Sequence, residues 1–152
     1  MFIVENGNLF GNVEHGLIIH GCNAQGVMGS GVAKIIRDKY PVAYQTYMQQ
    51  ADTGYILGEV IPAIVEPNLV IVNAITQEFY GTDRVHVDYD AVRQVMKGVE
   101  HLAKSQLIKS EDVHFPLIGG GLAGGDQFKL IQIFSEAWSN SDITARLWLY
   151  NP

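Results

Sequence analysis

Residues 68 to 75 read NLVIVNAI and residues 16 to 21 read GLIIHG, two runs with scarcely a polar interruption. A strand with one wet face alternates apolar and polar residues. A strand that does not alternate must be covered on both faces, as happens when crossover helices flank a mostly parallel sheet. Further β-rich runs occupy 1–5 (MFIVE), 58–65 (GEVIPAIV), 112–119 (DVHFPLIG) and 145–150 (ARLWLY). Between them lie helix-period faces: Val32, Ile35, Ile36 and Tyr40; then Val92, Val95, Met96, Val99 and Leu102; then Leu130, Phe134, Ala137 and Trp138. Strands alternating with helices predict an α/β chain, a three-layer α/β/α sandwich around a central mixed sheet. At 152 residues and 47% hydrophobic content, the chain is expected to form one domain over 1–152.

Two glycine-rich segments interrupt this pattern at equivalent places. GCNAQGVMGSGVAK at 21–34 carries Gly21, Gly26, Gly29 and Gly31, and PLIGGGLAGGDQ at 116–127 is denser still. Each follows an apolar strand and precedes a helix, so both are expected at the carboxyl edge of the sheet, where open α/β folds bind ligands. Glycine there lets the backbone turn its N–H groups toward a ligand, and a helix N-terminus adds about half a positive charge. Such a place suits a phosphate. The plain alternative is that the glycines only make turns.

Known phosphate motifs fit poorly. Gly31 is followed by Val32, Ala33 and Lys34, without the Lys-Ser/Thr of a Walker loop. Gly119, Gly121 and Gly124 spell G-x-G-x-x-G, but the strand that follows, LWLYNP, carries no acidic residue for a ribose, which counts against a dinucleotide-dependent oxidoreductase. Ten Lys and Arg against sixteen Asp and Glu give a net charge of −6, which opposes binding of extended nucleic acid. The single cysteine, Cys22, excludes an internal disulfide and suits a reducing compartment. No run reaches the roughly 18 to 20 apolar residues of a membrane span, and the start MFIVENGN has no signal-peptide pattern. A cytoplasmic monomer with no membrane partner is the expectation. The five histidines show no metal-ligand spacing, and HVDYD at 86–90 is accounted for by Asp88 as a helix N-cap, so neither metal nor cofactor is assigned.

Three stretches together resemble the macro domains, a family that binds ADP-ribose: NGNLF at 6–10, IIHGCNAQGVMGSGVAKIIRDKYP at 18–41 and PLIGGGLAGGD at 116–126. The forms Met-Gly-Ser-Gly-Val-Ala and Gly-Leu-Ala-Gly-Gly-Asp are similar to the branch that contains ADP-ribose 1''-phosphate phosphatases and terminal ADP-ribose glycohydrolases. The resemblance implies a diphosphate held between loop 28–33 (Met28, Gly29, Ser30, Gly31, Val32, Ala33) and loop 118–124 (Ile118, Gly119, Gly120, Gly121, Leu122, Ala123, Gly124), mainly by backbone amides. Ser30 has a second role open to it, as N-cap of the first helix. Asn8, followed by Leu9, stands where the family usually has an Asp that accepts from adenine N6; an amide oxygen still accepts but lacks the charge. Tyr150 falls where related domains stack an aromatic ring on adenine, or else covers the sheet edge.

Asn23 matches the loop asparagine that contacts the distal ribose, and Thr76 ends the neighbouring strand near the ligand. His20 and Asp126 are the candidate proton-transfer groups at the distal ribose. Each has a structural alternative: a histidine satisfied within the core, and an N-cap of the third helix. Cys22 reads as a packing residue under the loop. Terminal glycohydrolases of this branch use a lysine after the strand-then-Thr element and an aspartate in the second loop. Here Gln77 and Glu78 follow Thr76, and Ala123 fills the loop position. Glutamine forms no Schiff base, so lysine-dependent attack on the sugar is disfavoured. Three functions remain in view: a phosphatase acting on ADP-ribose 1''-phosphate, a binding module without turnover, and a hydrolase removing ADP-ribose from modified macromolecules.

Overall fold

The computed structural model describes residues 1–150. Six strands, β1 (Phe2–Asn6), β2 (Gly16–Asn23), β3 (Val60–Glu66), β4 (Leu69–Gln77), β5 (Asp112–Pro116) and β6 (Thr144–Leu149), form one sheet in the order β1-β6-β5-β2-β4-β3. Neighbours are parallel throughout except for β3, which runs antiparallel to β4. The expected mixed sheet and α/β/α layering are therefore present.

The continuous apolar runs of β2 and β4 are explained by where alternate residues go. Ile18 pairs with Ile71 and Ile19 with Val72. Leu17, Ile19, Val70, Val72 and Ala74 enter the core beneath α4 (Tyr89–Lys104) and α5 (Gln127–Trp138). Ile18 and Ile71 point the other way, into a second core closed by α1 (Leu9–Asn12), α2 (Gly31–Lys39) and α3 (Pro41–Met48). With both faces dry, neither strand has a position for a solvated side chain.

On the α4/α5 side, Val92, Val95, Met96 and Val99 are buried as their spacing predicts. Leu130, Phe134 and Trp138 face them from α5, with the Phe115 and Phe134 rings 4.8 Å apart and the Trp138 indole donating to Met96 Sδ at 3.2 Å. Leu102 is half-buried, whereas Ala137 is exposed, because it lies one residue, about 100° of helix, from the buried Trp138. Ile35 is exposed for the same reason beside the fully buried Ile36. Two helices were not anticipated: the single-turn α1, and α3, where Pro41 at the first helical position restarts the chain after Tyr40 closes α2. β5 stops at Pro116, short of the expected Gly119.

Because β1, β6, β5, β2 and β4 run parallel, their carboxyl ends share one edge of the sheet. That edge carries the segments after β2 (24–30), β4 (78–88) and β5 (117–126). The opposite edge is tight. Gly16, at φ 98°, starts β2 where a Cβ would lie 2.8 Å from the Asp112 carbonyl oxygen. Gly16→Ala is expected to destabilise the fold by about 2 kcal/mol or more, read as a lowered urea midpoint, since it combines left-handed strain with a backbone clash. An unchanged midpoint would show that this edge yields freely.

Candidate functional site

The first loop is built by Asn23. Its Oδ1 accepts from the amides of Gln25 (3.0 Å) and Val27 (3.3 Å), and its Nδ2 donates to the Val27 carbonyl at 2.8 Å. The Tyr47 hydroxyl sits 2.7 Å from the Asn23 carbonyl and accepts from Gly26 N–H, fixing the loop to α3. The loop then delivers the chain to the start of α2. Ser30 occupies the N-cap position, but its side chain makes no capping bond and remains exposed on the cleft. The first intrahelical bond runs from Lys34 N–H to the Ser30 carbonyl, so the amides of Gly31, Val32 and Ala33 open the helix unpaired within it.

The second loop folds on itself. Gly120 N–H donates to Leu117, Gly124 N–H to Gly121 and Gly125 N–H to Gly119, at 2.7–3.0 Å. The amides of Gly119, Gly121, Leu122 and Ala123 make no backbone hydrogen bond with other described residues. The two loops meet: Gly31, at φ 61°, leaves its Cβ position 3.1 Å from Leu122 Cδ1. A third wall was not anticipated. The segment after β4 places Tyr80, Gly81 and Thr82 along the cleft and is fastened to the second loop by His86 N–H donating to the Ala123 carbonyl at 2.9 Å.

Together these walls enclose about 650 Å³, within the range of small-molecule sites. Among the residues expected at a ligand, Asn23, Gly29, Ser30, Gly31, Val32, Ala33, Ile118, Gly119, Gly121, Leu122 and Ala123 line the cleft. Gly21, Cys22, Val27, Gln77, Pro116 and Leu117 also line it, besides the third wall. The glycine signal that marked the other two loops is sparse in 78–88, where Gly81 is the single glycine, so sequence spacing passed it over.

Several expected contacts fall elsewhere. Met28 is 1% exposed and packs with Cys22, Tyr47 and Ile75 beneath the loop. Leu9 is 3% exposed in the core under α1. Thr76 is fully buried with no hydrogen-bond partner for its hydroxyl, and sits under Gly21, whose Cβ would come within 2.8 Å of it. Gly120 and Gly124 brace the second loop from behind the lining. Asn8 caps α1 by accepting from Phe10 N–H at 3.1 Å, and Tyr150 is exposed at the end of β6; both are on the cleft's edge of the sheet but outside its walls.

The two proton-transfer candidates require correction. His20 is completely buried, its Nε2–H donating to Asn73 Oδ1 at 2.6 Å, while Asn73 Nδ2 donates to the Ala43 and Ile61 carbonyls. Burial lowers its pKa to about 4 despite the opposing hydrogen bond to Asn73, leaving a neutral core histidine. Asp126 turns back on its own helix, accepting from Lys129 N–H at 3.1 Å as the N-cap of α5, and does not line the cleft. Cys22 is 3% exposed, with burial pushing its thiol pKa up, as suits a packing residue. Among the described lining residues there is no Asp, Glu, His, Lys or Arg. No group of acidic, histidine or cysteine side chains suited to a metal ion occurs among the described residues, and no described helix is long and apolar enough to cross a membrane.

Two glycine-rich loops, a helix start and the segment after β4 thus surround one cleft at the carboxyl edge of the mixed sheet of an α/β/α sandwich. The macro domain family model matches residues 19–134, and the chain belongs to that family. A structure of a protein of unknown function from Bacteroides thetaiotaomicron is 29% identical, with 98% of each chain covered and a TM-score of 0.86. Thermosipho africanus DarTG, solved in complex with ADP-ribose, shares the fold at 16% identity and a TM-score of 0.79 over 97% of this chain and 41% of that one. An ADP-ribose 1''-phosphate phosphatase from Neosartorya fischeri is 46% identical over 41 residues, which are 27% of this chain and only 20% of that protein.

The buried histidine makes stability depend on pH. The unfolded chain takes up this proton near the usual histidine value of about 6.5, the folded chain only near 4, so the unfolded state binds more protons between these values and stability is lost as pH is lowered through the window. His114, lowered to about 4 by burial and the Arg146 charge, acts in the same sense. Urea unfolding at pH 7.5 and pH 5 is expected to differ by about 2 kcal/mol for each such histidine, with the lower stability at pH 5. Equal stabilities would place His20 in contact with water.

Proposed function

We propose that the cleft binds ADP-ribose, with the pyrophosphate between the start of α2 and the 117–126 loop, and that the chain hydrolyses ADP-ribose 1''-phosphate to ADP-ribose and phosphate. The observation that carries the binding reading is the contact of Leu122 with Gly31. It brings two segments whose amides lack backbone partners to one uncharged cleft of a size suited to a small ligand. Amide dipoles and a helix start attract a compact diphosphate without a fixed cation. A net charge of −6 disfavours a long polyanion.

On this reading the adenine extends toward Asn8 and Tyr150 at the ends of β1 and β6, and the distal ribose lies by Asn23. Three of Asn23's hydrogen bonds already hold the loop, so it offers the ribose one remaining Nδ2–H. The hydrolytic half draws on the 41-residue likeness to the fungal phosphatases. Gln77 in the wall, in place of a lysine, disfavours covalent attack on the sugar. With neither His20 nor Asp126 facing the cleft, a binding module without turnover is the competing outcome, and phosphate release from ADP-ribose 1''-phosphate decides between them.

Calorimetry is expected to give micromolar affinity for ADP-ribose, on the order of −8 kcal/mol, and binding of AMP at least about tenfold weaker, because AMP has no second phosphate to bridge the loops. Comparable affinities would argue against the bridging site. In Gly120→Val the new side chain meets Leu117, whose Cγ lies 2.5 Å from the Cβ position, and forces that lining residue to move. ADP-ribose binding is expected to weaken about tenfold or more. Normal binding by this variant would remove the second loop from the site.

A further inference from the structure

Among the described residues lining the cleft, only Cys22 and Tyr80 carry a titratable proton. Cys22 is 3% exposed, packed against Met28, Tyr47 and Ile75, and its thiol is 3.6 Å from the buried His20 ring. Tyr80 differs in each respect. It is 57% exposed, lines the third wall, and its hydroxyl makes no hydrogen bond with any described residue. Its backbone is nevertheless anchored. His86 Nε2 lies 2.7 Å from Asp83 Oδ1, drawing the segment into a turn, and His86 N–H ties that turn to Ala123 of the second loop. A free phenol is thus carried on a wall fastened to the second glycine loop. Ser30 and Thr82 also line the cleft, but an alcohol is a far weaker acid than a phenol.

We propose that Tyr80 is the proton donor of this cleft, protonating the leaving oxygen when the terminal phosphate ester of a bound ADP-ribose 1''-phosphate is cleaved. The inference rests on the hydrolytic half of the proposed function. Water attacks phosphorus, the bond from phosphorus to the ribose oxygen breaks, and its electron pair passes to that oxygen, which takes the Tyr80 proton. The attacking water gives one proton to the tyrosinate, so the products are ADP-ribose, hydrogen phosphate and the restored phenol. No metal, oxidant or second substrate enters the balance.

The test compares the parent chain with Tyr80→Phe, which keeps the ring and removes the donor. Phosphate release from ADP-ribose 1''-phosphate is followed as kcat and KM against pH, and ADP-ribose binding by calorimetry. Expected is a loss of kcat of about a hundredfold with KM and ADP-ribose Kd unchanged within about twofold, together with loss of the alkaline limb of the parent's kcat profile. A Tyr80→Phe variant as fast as the parent overturns the assignment. So does a variant whose Kd and KM rise while kcat holds, which would make Tyr80 a wall of the site only. A parent that binds ADP-ribose but releases no phosphate overturns the hydrolytic reading and this inference with it, leaving the binding site intact.

Discussion

The pairing of β2 with β4 is the constraint on which the rest of the molecule depends. Each strand is apolar on both faces, so neither can leave the centre of the sheet, and their in-register parallel alignment sends both carboxyl ends to the same edge. β5 joins β2 in the same direction. Three consecutive strands of the sheet therefore end side by side, and the segments that leave them have nowhere to run except around one another. The cleft is the space left between those exits.

The polar groups admitted to this core are few and matched. His20 and Asn73, opposite each other in the β2–β4 register, satisfy one another, and the Asn73 amide reaches across to α3 and β3. A buried pair of this kind makes slippage of the register costly, because a one-residue shift of either strand would put the two groups on opposite faces of the sheet, each without its partner. The same histidine that holds the strands in register is thereby withdrawn from chemistry, although it lies only one residue from Gly21 on the cleft wall. Thr76 is in a comparable position, one residue before Gln77, but its hydroxyl has no partner. The cleft floor is thus a thin layer over the strand ends.

What was legible in the sequence follows from this geometry. Uninterrupted apolar runs announced the covered strands, and glycines at two strand-to-helix junctions announced the two loops that meet. Less was legible where one residue type serves two ends. Asp126 before a helix reads equally as a cap or as a cleft carboxylate, and only the direction of its Oδ1 toward Lys129 N–H separates the two. His20 ends an apolar strand in either reading, and burial alone decides. Met28 lies inside a loop of cleft-lining residues yet points beneath it, since a loop closed by Asn23 needs an apolar side chain to seat it on Tyr47 and Ile75. Tyr80 and Thr82 lacked any periodic or glycine mark, and reach the cleft through contacts distant in sequence.

The absence of charge from the described cleft lining, in a chain of net charge −6, has a consequence for selectivity. A lysine or arginine attracts any anion over the range of its field, including long polyphosphates, and that attraction weakens with salt. Unpaired amides act differently. Their dipoles fall off quickly with distance and reward only an oxygen placed at hydrogen-bond range, so affinity comes from fit between two fixed loops and not from accumulated counter-charge. Under the proposed binding, the chain's net negative charge opposes the approach of a polyanion, while a diphosphate with few charges meets less of this repulsion and is short enough to reach both loops at once. On the proposed reading, selection for a short, doubly anchored ligand is a property of the uncharged walls together with the net negative charge, and neither feature alone would supply it.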